Sequence, residues 1–285
     1  MPESTPAPAP GAGARTAVYA HGHHTSVLRS HRWRTAENSA AYLLPHLRPG
    51  TNLLDVGCGP GTITLDLAER VAPGDVVGID PAPDVLETAR AEATARGGAA
   101  GKARFVTGDI TEPESSALPT GGFDVVHAHQ VLQHLGDPVE ALRAMRRLCR
   151  PDGMVAVRDA DYAAMTWWPR PPALELWAAL YRRVARAAGG EPDAGRRLWG
   201  WAREAGFTDI TPSASSWCFA EPADREWWGG LWAERCTASG FARLAVTGGH
   251  ATEEELAAIA AGWREWAAAE DGWFAVLHGE VLCRG

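Results

Sequence analysis

The chain is poor in cysteine, with five in 285 residues, an odd number and no C-x-x-C pair. That excludes a disulfide framework and the standard zinc spacings, and it fits a reducing compartment, the cytoplasm. No run approaches the roughly 18 apolar residues of a membrane span, so no membrane partner is expected. Basic residues are outnumbered, 27 Lys and Arg against 35 Asp and Glu, for a formal net charge of −8. Binding to a phosphate backbone draws on a cationic excess, so no nucleic-acid partner is expected either. Internal repeats are missing. The opening "MPESTPAPAPGAGA" has neither the basic n-region nor the apolar h-region of a secretory signal. Its Pro, Ala and Gly content predicts a disordered tail over 1–16.

What is present suffices for one large α/β domain over 17–285. The chain is 46% apolar, and its length fits a single domain with a large insertion. Residues 25–48 read as helix, broken near Arg34 and Thr35 and stopped by Pro49-Gly50. Short apolar strands over 52–56, 75–80, 103–110, 123–129 and 154–159 then alternate with helices over 61–71, 83–96 and from Pro138 onward. Asp137, with Glu140 three residues on, marks the start of that last helix as a capping box. The alternation predicts a Rossmann-like, doubly wound parallel sheet over 51–159. After residue 160 the texture changes, because twelve of the 13 tryptophans lie there. Helices are predicted over 172–188, 193–205, 221–245 and 252–269, and strands over 208–219 and 272–284. The two strands would extend the sheet as an antiparallel pair. The 221–269 helices between them form an inserted lid within a Trp-rich part over 160–271.

The stretch "LLDVGCGPGTIT" (53–64) runs from an apolar strand into an acid and then into Gly57-x-Gly59-x-Gly61. Such a turn joins a parallel strand to a helix around a nucleotide-like ligand. It is not the dinucleotide fingerprint G-x-G-x-x-G, because position 62 is Thr, and it lacks the Lys-Ser/Thr of a P-loop. Asp55, at the strand's carboxyl end, would repel a pyrophosphate and attract an ammonium or a sulfonium. The helix beginning near Gly61 offers N–H groups to a carboxylate. Asp80 ends the second strand, where an acid can bind ribose hydroxyls. Asp109, in "GDI", ends the third and can accept a hydrogen bond from an adenine amino group. A ligand with an ammonium, a carboxylate and a nucleoside fits the three acids, namely S-adenosylmethionine.

The run "LLDVGCGPG…VVGIDPAPDVLE…FVTGDI…FDVVHAHQVLQHLGDP…LRAMRRLCRPDG" resembles class I S-adenosylmethionine-dependent methyltransferases. Within them it is similar to the small-molecule group related to ubiquinone- and menaquinone-pathway methyltransferases. The resemblance covers 51–159. It implies a seven-stranded sheet with an antiparallel last strand, and close approach of Gly57 and Gly59 to the cofactor. It further implies ribose at Asp80, adenine at Asp109 and Ile110, and the methionine moiety beside His129 and Gln130. The helix before the first strand helps close such sites, which adds Arg34 and Thr35.

Methyl transfer is an in-line displacement on a sulfonium, so the acceptor must be held close and water kept out. Oxygen and carbon acceptors usually also need a base, and histidine is the natural one near neutral pH. His127, His129 and His134 lie on or just after the fourth strand; His127, on the strand itself, reads as core. Related O-methyltransferases carry a His pair at 133–134 and an acid after the fifth strand. Here the pair is Gln133-His134 and the acid is Asp159, so His134 with Asp159 are the catalytic candidates and His129 the other base. Asp161 and Tyr162 are placed to line the acceptor pocket, with Trp167 and Trp168 of "TWWPRPP" as its wall, in a segment the prolines keep from being helical. Trp177, Trp199, Trp201, Trp263 and Trp266, at helical spacing, read as core, and "REWWGGLW" (225–232) as the cap.

His21, His23, His24 and His31 form a second cluster. Their spacing matches no standard site and no clustered acid joins them, so no metal is expected. A mobile lid over 17–34, with Tyr19, His23 and His24 facing the substrate, is the alternative to a solvated entry loop. The expected activity is O- or C-methylation of a small apolar or aromatic molecule, with N-methylation or quinone-type C-methylation as the alternatives. A non-catalytic binding protein is disfavoured by the intact acids. Nucleic-acid methylation would want [DNS]-P-P-[YFW] where "HAHQ" stands. The oligomeric state stays open, a homodimer included.

Overall fold

A computed structural model describes residues 31, 33–112 and 118–285. The tail over 1–16 and the candidates Tyr19, His23 and His24 lie outside the described residues. Five parallel strands form first: β1 (Leu53–Val56), β2 (Val76–Asp80), β3 (Arg104–Thr107), β4 (Phe123–His129) and β5 (Cys149–Ala160). They are followed by β6 (Thr166–Trp168), β7 (Asp209–Phe219) and β8 (Trp273–Arg284). The order is β3-β2-β1-β4-β5-β8, with β7 beyond β8. β8 runs antiparallel to both β5 and β7, so it alone is reversed within the parallel set. The switch point of the strand order lies between β1 and β4, where open α/β sheets bind ligands.

The sheet has eight strands rather than the seven expected. β8 overlaps β5 only from His278 onward, and its first three residues take β6 as neighbour instead. The "TWW" segment is therefore a strand, and the prolines after it end it.

The helices are α1 (Ala36–Ser39), α2 (Thr62–Val71), α3 (Pro83–Arg96), α4 (Pro138–Leu148), α5 (Pro172–Ala187), α6 (Leu198–Glu204), α7 (Pro222–Ala238), α8 (Gly240–Thr247) and α9 (Glu253–Ala268). Two predicted helices are divided. Over 36–48 only α1 and a 3-10 turn at Leu44–His46 form, because Pro45 lacks an N–H to continue a helix. The 221–245 stretch splits at Ser239, which is extended (φ −96°, ψ 178°) and whose hydroxyl accepts the Phe241 N–H as the cap of α8. Asp137 caps α4, accepting the Glu140 N–H, but the return half of the expected capping box is not formed: the Glu140 carboxylate pairs with Arg143 and Arg147 instead.

One face of the sheet, with Leu54, Val126, Val155 and Val281, packs on α4 and α6. On the other, Leu53, Val125, Met154 and Leu282 bury under Tyr42 and α2. Toward the carboxyl ends of the strands this second face turns polar, through Asp55, His127, His129, Arg158 and Glu280, all buried. Register explains their pairing, since Asp55 sits beside His127 and Arg158 beside Glu280. A separate core of tryptophans joins α5, α7 and α9 to β7 and β8, with Trp177, Trp232, Trp263 and Trp266 fully buried. Trp199, expected in a core, is instead 47% exposed under Arg203.

Candidate active site

The glycine turn after β1 is set by backbone geometry. Gly57, Gly59 and Gly61 have φ of +64°, +53° and +82°, a region that side chains disfavour. A Cβ on Gly57 would also come within 2.5 Å of Val131 Cγ2. The turn is fastened by Asp80, whose Oδ2 accepts the Gly59 N–H at 3.0 Å and whose Oδ1 accepts that of Ala82 at 2.9 Å. Asp55 is buried, taking the Thr64 hydroxyl at 2.5 Å and the His127 Nδ1–H at 2.8 Å. Both its oxygens are thus engaged, and His127, on the strand, is core as expected. Asp109 holds the loop after β3 through Thr111, accepting its N–H at 2.8 Å and its hydroxyl at 2.7 Å.

These groups open into one cavity of about 520 Å³, within the range of small-molecule sites. One end is lined by Asp55, Gly57, Gly59, Asp80, Asp109 and Ile110. The other is walled by Tyr162, Met165, Trp217, Trp227, Trp228 and Trp232, with Arg235 among them. Arg34, His129, Gln130 and His134 line it as well. A narrow glycine turn with three carboxylates lining the same end of the cavity suits S-adenosylmethionine. The expected cofactor residues meet here with one exception. Thr35 is exposed and spends its hydroxyl capping α1 through the Asn38 N–H.

Gln130 is the one described non-glycine residue with positive φ, +55°. That strained conformation is common where side chains are held for function. Its amide bridges the site, with Arg34 Nη2 donating to Oε1 at 2.8 Å and Nε2 donating to His278 Nε2 at 2.8 Å. His278 can accept there because its Nδ1–H donates to the Val276 carbonyl. Arg34 also lies 5.7 Å from the Trp217 ring.

The two cavity imidazoles differ. His129 is buried, and neither ring nitrogen has a hydrogen-bond partner among the described residues. Burial, then the nearby Arg158 and Arg34 charges, holds its pKa well below the usual histidine value. His134 lies on the turn after β4 (Leu132–His134), with Gln133 Nε2 at 3.0 Å from its Nε2. Burial and Arg34 push its pKa down to about 3. Both are therefore neutral near pH 7.

Four other candidates lie elsewhere. Asp159 does not line the cavity; it is buried behind the His134 turn, accepting the Gln133 N–H at 3.2 Å. It holds that turn from outside the cavity, and burial raises its pKa to about 7 against that hydrogen bond. Asp161 is neutralised by Arg196 at 2.5 Å and 2.7 Å and caps the turn at Ala164. Trp167 points into the aromatic core, stacked 5.6 Å from Phe274. Trp168 is 55% exposed and donates to Asp271. The alternation of β6 sends these two tryptophans to opposite sides, neither toward the cavity. Tyr162 does line it, stacked 4.1 Å from Tyr181.

The sequence reading missed Trp33, Trp217, Trp227, Trp228, Trp232 and Arg235 as individual lining residues. The segment "REWWGGLW" had marked the right helix, and β7 alternation would have marked Trp217. Among the described residues no cluster suited to a metal is found and no helix is long and apolar enough to cross a membrane.

Residues 47–206 match the family model of a methyltransferase domain. An uncharacterized methyltransferase of Schizosaccharomyces pombe is 34% identical over 271 residues, 93% of this chain and 95% of its own. A probable methyltransferase of Aspergillus luteorubrus is 30% identical, over 94% of this chain and 97% of its own. Among solved structures, the YcgJ protein of Bacillus subtilis shares the fold, with a TM-score of 0.56 at 18% identity, over 87% of this chain and 99% of that one.

Proposed function

The chain belongs to the S-adenosylmethionine-dependent methyltransferases, and on that premise we propose that it methylates an oxygen or carbon of a small apolar or aromatic molecule. The observation that carries this is the division of one cavity into an end of glycines and carboxylates and an end of aromatic rings. Bound S-adenosylmethionine supplies an electrophilic methyl group. Asp80 would hold the ribose hydroxyls and Asp109, beside Ile110, the adenine amino group. Gly57 and Gly59 let the backbone come close, and Arg34 and Gln130 fix the methionine end. The aromatic wall excludes water and stacks on a flat acceptor.

A proton leaving an acceptor hydroxyl needs a neutral imidazole with an open lone pair. His129 meets that need better than His134, the base favoured by the sequence pattern, whose Nε2 faces the Gln133 amide. Asp159 supports by holding the turn. The test is a metabolite screen with methyl-labelled S-adenosylmethionine, reading mass gains of one methyl group on small aromatic compounds. Labelling of nucleic acid or protein alone would refute the reading.

A further inference from the structure

One buried histidine bonds to a residue of the cavity without lining the cavity itself. His278, on β8, is fully buried, with the Trp217 ring 4.4 Å away edge-on and the His129 ring 6.1 Å away. Its surroundings allow one protonation form. The Val276 carbonyl, 3.1 Å from Nδ1, can only accept, so Nδ1 carries the hydrogen. Burial, with the Arg158 and Arg34 charges, holds the pKa well below the usual histidine value, so no second proton joins. Nε2 is therefore a bare acceptor, 2.8 Å from Gln130 Nε2. On the other side of Gln130, 2.8 Å from Oε1, stands the Arg34 guanidinium, which can only donate. Both neighbours select the same orientation of the amide. The flipped form would set oxygen against lone pair and N–H against N–H.

That orientation matters because of where Gln130 stands. Its φ of +55° persists only where neighbours impose it. Its backbone N–H donates to the Arg158 carbonyl at 2.7 Å, and the next residue, Val131, lies against Gly57 of the glycine turn. An amide nitrogen has two hydrogens. His278 takes one, no other described residue takes the second, and Gln130 lines the cavity. We propose that His278 is a positioning residue for the cofactor, orienting the Gln130 carboxamide so that its second N–H meets the carboxylate of the methionine part. This rests on the methyl-transfer reading of the same site and adds a residue to it. His278 itself touches neither substrate nor cofactor and moves no proton.

The test is calorimetry on the full chain with two ligands, S-adenosylhomocysteine and 5′-methylthioadenosine, which keeps the nucleoside and the sulfur but lacks the amino-acid part. His278→Phe keeps a ring and removes the acceptor. It should weaken S-adenosylhomocysteine by about tenfold or more, the scale of a lost hydrogen bond to a charged group, and leave 5′-methylthioadenosine within about twofold. His278→Gln, whose side-chain oxygen reaches the place of Nε2, should restore most of the loss. Where His278→Phe fails to fold, His278→Asn takes its place, since it keeps a polar group near Val276 but is too short to reach Gln130. Equal losses for both ligands would show packing damage and overturn the proposal. So would an unchanged S-adenosylhomocysteine affinity, or a loss that His278→Gln does not repair. In each of those cases, binding of S-adenosylhomocysteine by wild type leaves the methyl-transfer reading standing. If wild type binds neither ligand, both readings fall. The selective loss in a protein that methylates no small molecule would sink the methyl-transfer reading and leave the role of His278.

Discussion

The two ends of the cavity are built by opposite means. The cofactor end is assembled from consecutive strand ends, where Asp55, Asp80 and Asp109 each close a β-strand or the loop after it. Its conformations are mostly local: a glycine turn, with Asp80 and Asp109 bonded to backbone N–H groups a few residues or one strand away, and only Asp55 tied further off, to His127 on the neighbouring strand. The aromatic end draws Trp33 from before the sheet, Trp217 from β7, Trp228 and Trp232 from α7, and Val276 from β8. Nothing in sequence spacing joins these residues; only the packed fold does. A ligand held by the first end is fixed by hydrogen bonds, and one held by the second by shape and area. Changes at the two ends should therefore be separable.

The sharpest break of that separation is expected at the junction. His129→Ala should lower kcat by about 10²–10⁴ while S-adenosylhomocysteine affinity is nearly kept, with His134→Ala doing less. Turnover of both variants measures this, and the reverse ranking would return the base to His134. Deep in the aromatic part, Trp263→Ala should destabilise the fold by about 3–5 kcal/mol, since the ring is fully buried. Chemical denaturation reads that loss, and cofactor affinity of the folded fraction should not move. At the other end, Asp80→Ala should weaken S-adenosylhomocysteine binding by about 1.5–3 kcal/mol with acceptor KM little changed. An unchanged affinity by calorimetry would remove Asp80 from the cofactor site.

The smallest effect concerns Asp159. Its pKa rises from 3.8 to about 7 on folding, so between those values the folded state keeps a proton that the unfolded state releases. The carboxyl therefore costs stability as pH rises through that window, fully so above it. Asp159→Asn should raise Tm at pH 8 by roughly 2–4 °C, on the order of 1 kcal/mol, and by less at pH 5. It should leave KM for the acceptor alone, because the side chain does not reach the cavity. A KM shift would restore Asp159 as a residue that touches substrate.

The same contrast sets what was legible in the sequence. The parallel strands, the Asp137 cap and the acids at the strand ends could be read from short-range pattern, because apolar runs, a cap and an acid before a turn are local signals even where, as at Asp55, the bonding partner lies on another strand. The location of Trp167 could not. Its place on the acceptor side followed from its nearness in sequence to β5, but the pairing of β6 with β8 turns its ring into the core. Asp161 looked free for a substrate until Arg196, 35 positions away, was found to neutralise it. Arg235 gave no signal at all, since a lone arginine on an amphipathic helix reads as solvated. Side chains committed by distant partners are where local reasoning stops.

The placement of β8 between β5 and β7 has a consequence for synthesis. β7 leaves the ribosome before β8 but pairs with no other strand among the described residues, and the β5 edge is equally open until β8 arrives. His278, which completes the Arg34–Gln130 chain, lies on that same late strand. A nascent chain can thus close the glycine turn early and still lack the last member of the hydrogen-bonded chain that crosses the cavity. Two unpaired edges stay exposed through the making of α7, α8 and α9, and that interval is when a chaperone has most to shield.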